Sequence, residues 1–498
     1  MTQNEKTKWK QSRQVRERIF ISGKLVLQSP THLGNGDTSG VTDIGLLRDE
    51  VSGAPLLTGT SITGALRNYM REVELGYGVG EQAKGGHMVE KLFGYVGEDV
   101  ADVGKQNPSI ASIESWLMVD DALGDLPKTN PIEIRDGVAL DADTRTAKDG
   151  AKYDIELLAA GTIFPLHFEL WLTEENREML PWLAIALQGL ENEHIHLGMR
   201  KRRGYGRCKV TGWQVNRFAM NDVAQVVAWL NYQMPDAKKA DGFQSNIASL
   251  LNVSLPDSDA REFFQMKVTF KLVSSLLIRA DSGKADDPDM VHLKNAVGKS
   301  VLPGTSLAGS IRARAGRIAR TLKGGDVGDE LVKGMFGWHD EDDSDNASGS
   351  RVLVQESIVE NPIANLVQNR VKLDRFTGGA YPGALFSQQP LFARTEAPTT
   401  VELKLLLRKL ATMDDDWFRA EVGLLLLVLK DLWTGDLPLG GERSVGRGRL
   451  EGLSADLCLN GRSITISTTK DGTLSFPDGG AQELEGFVTA LNSLEVSA

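Results

Sequence analysis

The sequence predicts an α+β fold made of two tandem ferredoxin-like domains, and three observations carry that prediction. Five short patterns recur in the same order about 240 residues apart. Each copy opens on an alternating apolar stretch, passes through a helix-like segment introduced by Gly-Thr-Ser, and returns as further strand-like stretches. Each copy closes on a glycine-rich loop that carries arginine. Strands interrupted by a helix, without regular βα alternation, build an α+β layer rather than a doubly wound sheet.

The elements follow in order. Ile19–Leu27 (IFISGKLVL) and Met266–Val273 (MKVTFKLV) alternate as half-buried strands do. A Gly- and Asp-rich loop follows, and then Leu56–Arg67 (LLTGTSITGALR) matches Val301–Arg312 (VLPGTSLAGSIR). The Thr-Ser pair supplies N-cap chemistry and predicts helices over Ser61–Arg71 and Ser306–Leu322. Lys91–Gly94 matches Gly334–Gly337, Trp116–Ala122 resembles Val352–Ser357, and Val138–Asp141 with Thr144 matches Val371–Asp374 with Thr377. Ile163–Leu172 and Thr399–Leu407 read as strands. Leu197–Arg207 (LGMRKRRGYGR) matches Leu439–Arg449 (LGGERSVGRGR). One such pair arises by chance, whereas five in order mean an internal duplication. The expected organisation is a first domain over 18–217, a linker with some helix over 218–262, a second domain over 263–458, and a tail over 459–498. In the tail, Ile464–Thr468 and Thr473–Phe476 flank a Lys-Asp-Gly turn and predict a hairpin.

Composition bounds the function. The 498 residues are 41% hydrophobic and 25% charged, enough to bury two or three cores and inconsistent with wholesale disorder. Glycine numbers 52, where average usage gives about 35. Two cysteines, Cys208 and Cys458, build neither a disulfide framework nor a Cys-rich zinc site, and they fit a reducing, cytoplasmic compartment. The N-terminus is polar and basic, unlike a secretory signal. The longest apolar run, Val422–Val428, is too short to span a bilayer, so no membrane partner is expected. The formal net charge of −11 taken alone argues against a nucleic-acid partner, but the charge is segregated.

Three features carry chemistry. The first is the basic loop: Arg200, Lys201, Arg202, Arg203, Gly204, Tyr205, Gly206, Arg207 and Lys209 put six cations and one aromatic ring into ten residues. The second copy has Arg443, Gly446, Arg447, Gly448 and Arg449. Glycines bring backbone N–H groups up to phosphates, arginine forks bind them bidentately, and Tyr205 is suited to stack on a base. A solvated basic hairpin is the plain alternative, and repetition of G-x-G-R in both copies weighs toward an anionic ligand. The second feature is the start of each Gly-Thr-Ser helix, at Ser61 and Ser306, where free N–H groups favour anions. Arg67 and Arg312 lie two turns further on, while Arg314, Arg317 and Arg320 read as surface charge. The third is an acid before each helix: Asp43 ahead of Arg48 and Asp49, Asp289 ahead of Lys294 and Asn295. A loop carboxylate beside RNA can hold a divalent metal or polarise 2′-OH attack on a phosphate, although loop Asp residues are ordinarily turn formers.

Other signals carry less. Gly298-Lys299-Ser300 resembles the end of a P-loop, but the required upstream glycine falls on Leu293. His194 and His196 have neither a cysteine nor a third histidine beside them and read as structural. The acidic run Asp340–Asp345 reads as a solvated loop.

The order of these motifs resembles the RAMP superfamily of CRISPR proteins: a loop beginning His32-Leu-Gly-Asn-Gly, an Asp, a G-T-S-x-x-G-x-x-R helix, an F-G box and a terminal G-x-G-R loop. Each unit is similar to the backbone subunit of type III CRISPR effector complexes, and the fused pair to the two-copy subunit of subtype III-D. The resemblance spans Phe20–Arg207 and Met266–Arg449. It implies a modified RRM-type fold with a thumb-like β-hairpin, near Ile134–Lys148 and Gln368–Pro382. It implies binding of a CRISPR guide RNA and a target RNA in a prokaryotic cytoplasm. It also implies assembly with further backbone subunits, a large polymerase/cyclase-like subunit and a small subunit. The family's slicing acid falls on Asp43 and Asp289, which would also hold the divalent metal, with Mg²⁺ as the default. RNA contacts fall on His32, Ser61, Ser306, Arg67, Arg312 and the two basic loops. The second copy lacks the His-x-Gly start, having Leu277-Ile278-Arg279-Ala280-Asp281, and Asp281, Asp286 and Asp287 compete with Asp289.

The leading expectation is therefore a guide-binding subunit that cuts paired target RNA at two sites, one per domain. A non-catalytic scaffold of the same complex is the second reading. A metal-independent endoribonuclease that processes CRISPR repeats, with His32 as general acid or base, is the third.

Overall fold

The computed structural model describes residues 14–34, 36, 43–80, 86–95, 114–141, 144, 146–235, 242–281, 287–339, 347–469, 471–477 and 479–494. The start of the basic N-terminus, Asn35, Asp286 and the acidic run at 340–345 lie outside the described residues. The chain forms two compact units. The first comprises residues up to Glu133, Glu156–Met199 and Gly206–Arg261; the second comprises Ile134–Ile155, Arg200–Tyr205 and everything from Glu262 onward.

In the first unit, β1 (Glu17–Leu27) sends Ile19, Ile21, Leu25 and Leu27 into the core. The helix α1 (Gly59–Leu75) is capped by Thr58, whose Oγ1 accepts from the Ser61 N–H at 3.2 Å. The helix thus begins two residues before the expected Ser61, and the Thr-Ser pair lies inside its first turn. Ile62, Leu66, Met70 and Val73 recur along the buried face, and Gly76 at φ 87° ends the helix. Then come the short helix α2 (Met88–Phe93), β2 (Leu117–Val119), and a hairpin of β3 (Ile132–Leu140) and β4 (Ala147–Leu158), whose ends belong to this unit while Ile134–Ile155 belong to the second. β5 (Ile163–Leu172) buries every second residue from Phe164 to Leu172. α3 (Leu180–Glu191) and β6 (Cys208–Ala219) complete the unit.

The sheet order is β2-β5-β1-β6, with each pairing antiparallel. With the hairpin set aside, the elements run strand, helices, strand, strand, helix, strand, and the sheet order is second-third-first-fourth, which is the ferredoxin-like arrangement. The core lies between this sheet and α1 and α3. Full burial of one Leu or Phe side chain contributes about 1.5–3 kcal/mol, so this layer dominates the unit's stability.

The segment read as a linker holds α4 (Val223–Leu230), and it returns to the first unit at Gln244, which exchanges two backbone hydrogen bonds with Trp213 at 2.8 and 2.9 Å. Ile247 and Leu251 are buried in the first core. This stretch is therefore packed rather than a free connection.

The second unit repeats the plan. β7 (Glu262–Leu272) alternates cleanly, with Phe264, Met266, Val268, Phe270 and Leu272 buried. A short β8 (Met290–His292) precedes α5 (Gly304–Lys323), which starts two residues ahead of the expected Ser306, and α6 (Gly325–Phe336). β9 (Val352–Val354) and β10 (Ser357–Glu360) lead to a hairpin of β11 (Gln368–Leu373) and β12 (Ala380–Gln389). β13 (Thr400–Lys409), α7 (Asp415–Trp433) and β14 (Leu450–Leu459) follow. β9 pairs with β13, and β13-β7-β14 are neighbours, so the strand order of the first unit recurs. Both hairpins run further along the chain than the stretches the family resemblance marks out.

The apolar run Val422–Val428 is the buried middle of α7, capped by Asp414, whose Oδ1 accepts from Asp416 N at 2.9 Å and Trp417 N at 3.1 Å. The expected hairpin in the tail forms, with Ser467 and Thr468 paired antiparallel to Ser475 and Leu474, and it is joined to the second unit's sheet. β15 (Arg462–Thr468) extends the sheet beside β14, and α8 (Ala481–Ser493), which the sequence reading did not include, packs on α7. Gly423 permits that contact, because a Cβ there would overlap the Phe487 carbonyl.

Candidate nucleic-acid interface

The two glycine-rich loops have the same backbone course. Arg200 adopts the left-handed conformation (φ 54°), Lys201–Arg203 form a 3-10 turn, and Gly204 (φ 94°) and Gly206 (φ 78°) follow. In the second copy Glu442 (φ 57°), Arg443–Val445, Gly446 (φ 85°) and Gly448 (φ 80°) do the same. A Cβ at Gly206 would overlap the Leu197 carbonyl, and one at Gly448 would overlap the Leu439 carbonyl. Gly206 and Gly448 are thus required by a backbone crossing, and Gly204 and Gly446 by a positive φ, without reference to a ligand.

That crossing decides which side chains face outward. The residue between the glycines turns inward in both copies. Tyr205 is 3% exposed and lies under the Arg135 guanidinium, 5.7 Å from its ring centroid, so it is not free to stack on a base as the sequence suggested. Arg135 in turn is ion-paired with Glu356. Arg447 is 2% exposed and donates to Gln368 Oε1 at 2.7 Å and Gln388 Oε1 at 3.1 Å, so its guanidinium is a brace rather than an RNA contact. Glu442 lies 3.4 Å from Arg447. Burial works against the charge of Glu442, but the Gln388 hydrogen bond and Arg447, Arg370 and Arg279 outweigh it and hold the carboxyl below its usual range.

Other loop cations are also engaged. Arg200 packs on Tyr153, 4.4 Å from its ring centroid, and hydrogen-bonds its hydroxyl. Arg207 donates to Glu193 at 2.8 Å, and Lys209 lies 3.6 Å from the same carboxylate. Lys201 is exposed and Arg202 half-buried. Arg203, Arg443 and Arg449 are exposed, with no ion-pair partner among the described residues. These three are the loop side chains best placed to meet phosphate.

The start of α1 differs from the expectation of free N–H groups, whereas α5 begins after Pro303 with no side-chain cap. The Gly59 N–H at the start of α1 donates to Asp121 Oδ1 at 2.7 Å, so a carboxylate of the chain already sits at that positive end. Ser61 is exposed and Ser306 half-buried; Arg67 and Arg312 are half-buried, and burial beside Arg203 lowers the pKa of Arg312.

His32 is fully buried. Its Nδ1 donates to the Glu156 carbonyl at 2.8 Å, and Gly34 lies against Nε2. It therefore cannot touch RNA or serve as a general acid in this conformation. Its backbone carbonyl accepts from Met199 N at 3.0 Å, just as the Leu277 carbonyl accepts from Gly441 N at 2.8 Å. His32 and Leu277 thus occupy one backbone position, and the missing histidine of the second copy costs no backbone contact. His194 is also engaged: its Nδ1 lies 2.9 Å from the Tyr69 hydroxyl.

The two acids occupy corresponding places. Leu47 N donates to the Leu33 carbonyl at 2.7 Å, and Leu293 N donates to the Ile278 carbonyl at 2.9 Å. Asp43 lies four residues before Leu47 and Asp289 four before Leu293. Next to each acid, the chain meets the base of a hairpin: Glu156 N donates to the Ile44 carbonyl, and Met290 pairs in parallel with Gln388. Both acids are exposed. Asp289 is held by the backbone N–H and hydroxyl of Ser387, which keep its carboxyl below the usual range. Asp287 is exposed; Asp286, the other nearby alternative, lies outside the described residues.

Among the described residues no three His, Cys, Asp or Glu side chains converge as a metal cage. A divalent ion at Asp43 or Asp289 would take its other ligands from RNA oxygens and water, as Mg²⁺ commonly does. No helix among the described residues is long and apolar enough to cross a membrane. A family model described as RAMP superfamily matches residues 24–209 and again residues 269–451. Comparison with the curated proteins finds no match.

Proposed function

The chain belongs to the RAMP superfamily of CRISPR-associated RNA-binding proteins, and on that premise we propose that it is a guide-RNA-binding backbone subunit of a type III effector complex that cleaves paired target RNA at two sites. The observation that carries this reading is the matched placement of Asp43 and Asp289, each four residues ahead of an equivalent backbone hydrogen bond and each exposed beside a hairpin base.

In this reading Arg203, Arg443 and Arg449 bind guide phosphates, and the hairpins interrupt the guide–target duplex. The exposed apolar residues Leu373, Phe376 and Leu385 of the second hairpin suit contact with unstacked bases. Asp43 and Asp289 each lie beside one target phosphate. There the target's own 2′-OH attacks the adjacent phosphorus and forms a 2′,3′-cyclic phosphate, giving its proton to the carboxylate or to water, while the 5′-oxygen of the next nucleotide leaves and takes a proton from solvent. Asp43 and Asp289 orient the attacking hydroxyl and would hold a Mg²⁺ ion, which when bound would stabilise the charge building on the phosphate. Neighbouring subunits of the complex supply the rest of the duplex channel.

The scaffold reading draws on Asp289, whose carboxylate already has a structural partner in Ser387. The test is cleavage of end-labelled target RNA by the guide-loaded complex with Mg²⁺, comparing wild type, Asp43→Ala, Asp289→Ala and the double variant, with RNA binding measured alongside. Loss of one distinct product per single variant, with binding retained, supports two cutting sites. Survival of both products in the double variant makes the protein a scaffold.

A further inference from the structure

A groove on the helical layer is filled in the first unit and open in the second. The alignment that pairs Arg67 with Arg312 pairs Tyr69 with Arg314, Glu72 with Arg317, Val73 with Ile318 and Tyr77 with Leu322. In the first unit the chain itself occupies this place, through the extended segment just ahead of β7. Ala260 N donates to the Val73 carbonyl at 2.9 Å, and the Arg261 guanidinium lies 4.8 Å from the Tyr69 ring centroid. Asp259 fixes that guanidinium with hydrogen bonds of 2.8 and 2.6 Å. A cation over an electron-rich ring is a favourable pairing, more so when partly desolvated.

In the second unit the same place is a cleft of about 320 Å³ between α5 and α7. Ile318, Leu322 and Leu427 form its apolar floor, and Arg314, Arg317 and Lys430 stand on its rim. Asp431 answers Arg314 at 2.5 Å and Lys430 at 3.1 Å, and Asp436 lies 3.6 Å from Lys430. Arg317 is exposed and has no ion-pair partner among the described residues. Leu322 is 45% exposed.

We propose that this cleft binds an extended acidic segment of another protein, seated as Asp259–Arg261 is seated in the first unit but with a carboxylate where Arg261 lies. The duplication supplies the geometry, since the equivalent place in the first unit receives the segment Asp259–Arg261 against Val73 and Tyr69. The charges supply the chemistry: Tyr69, over whose ring the Arg261 cation lies, is replaced by Arg314, and Glu72 by Arg317, which is exposed without an ion-pair partner among the described residues and calls for an anion. A second copy of this chain, presenting the residues that precede its own first strand, is a poor occupant. Those residues include Lys6, Lys8, Lys10, Arg13 and Arg16 against a single acid, Glu5. The apolar floor carries no aromatic ring for a base, which favours aliphatic side chains of a peptide over RNA.

The probe is a fluorescein-labelled peptide with the sequence of residues 255–263 carrying Arg261→Glu, titrated with the full chain and read by anisotropy. The altered peptide is expected to bind at least tenfold more tightly than the same peptide with Arg261 retained. Arg317→Glu is expected to weaken it at least tenfold while leaving guide-RNA affinity within twofold of wild type. Arg317→Ala, which places no new carboxylate beside Asp431, is expected to weaken it several-fold with an unchanged melting temperature. Equal binding of the two peptides, wild-type binding by both Arg317 variants, or displacement of the peptide by an unlabelled uridine 20-mer would overturn the proposal. The inference does not require target cleavage, so loss of cleavage in the Asp43 and Asp289 variants has no bearing on it.

Discussion

The Asp289 carboxylate accepts two hydrogen bonds from Ser387, from its backbone N–H at 2.7 Å and its hydroxyl at 3.1 Å, while the Ser387 hydroxyl oxygen accepts from Asp289 N at 3.0 Å. The strand end that carries the candidate acid is thereby locked to the hairpin. Because these bonds favour the ionised carboxylate, they lower its pKa. Ser387→Ala removes the hydroxyl and keeps the backbone donor. The carboxyl pKa should rise toward its ordinary value. The acidic limb of the pH profile for cleavage at that site should then move to higher pH, while the Asp43 product keeps its profile. Quantifying both products from pH 4 to 8 checks this.

The exposed loop cations are expected to act through phosphate. Arg203→Ala, Arg443→Ala and Arg449→Ala should each weaken guide-RNA binding without sequence preference, and should each lower the slope of log K against log salt by about 0.7–1. Tyr205→Phe should leave affinity within twofold, because that ring is covered by Arg135. Filter binding at several salt concentrations separates the two classes.

The backbone crossings at Gly206 and Gly448 tolerate no side chain. Gly206→Ala and Gly448→Ala combine a positive φ with overlap on a carbonyl oxygen, and each should destabilise its unit by about 1–3 kcal/mol or more. Chemical denaturation is the measurement. Gly446→Ala, where the chain leaves open space, should cost less.

Arg351 and Glu421 form a buried ion pair in the second unit, with Arg351 also donating to the carbonyls of Gly334 and Arg408 at 2.9 Å. Arg351→Met would strand the Glu421 carboxylate and should cost about 3–5 kcal/mol. Adding Glu421→Leu should recover part of that loss. Urea unfolding of the two variants checks the order.

His292 makes the second unit acid-sensitive. Its ring is 2% exposed and lies between the Ile278 N–H at 3.2 Å and the Val301 carbonyl at 3.0 Å, and burial pushes its pKa down to about 4 from 6.5. The unfolded chain takes the proton more readily than the folded one. Stability is therefore full above pH 6.5 and declines as pH falls from 6.5 to 4, by up to about 3 kcal/mol. His292→Gln should flatten this dependence, as melting temperatures between pH 4 and 7 will show.

The sequence by itself determined the duplication and the class of fold, and it singled out Asp43 and Asp289 as candidate acids. Those properties are local or repetitive: strand alternation at Phe264–Leu272, a Gly-Thr-Ser helix start, a fixed distance from Asp to the next cation. The strand order also followed, because a βαββαβ run has few ways to bury one apolar face. What only the tertiary structure decided was which polar residues face outward. Tyr205 and Arg447 share the spacing of their exposed neighbours, but the backbone crossing between the glycines turns them inward. His32 reads as a candidate acid until the Glu156 carbonyl is found against its ring. α8 carries an ordinary amphipathic pattern, and its place on α7 depends on Gly423, sixty residues away in the chain. Burial and pairing arise from contacts between segments distant in sequence, so spacing alone cannot separate a phosphate-binding arginine from one that braces a loop.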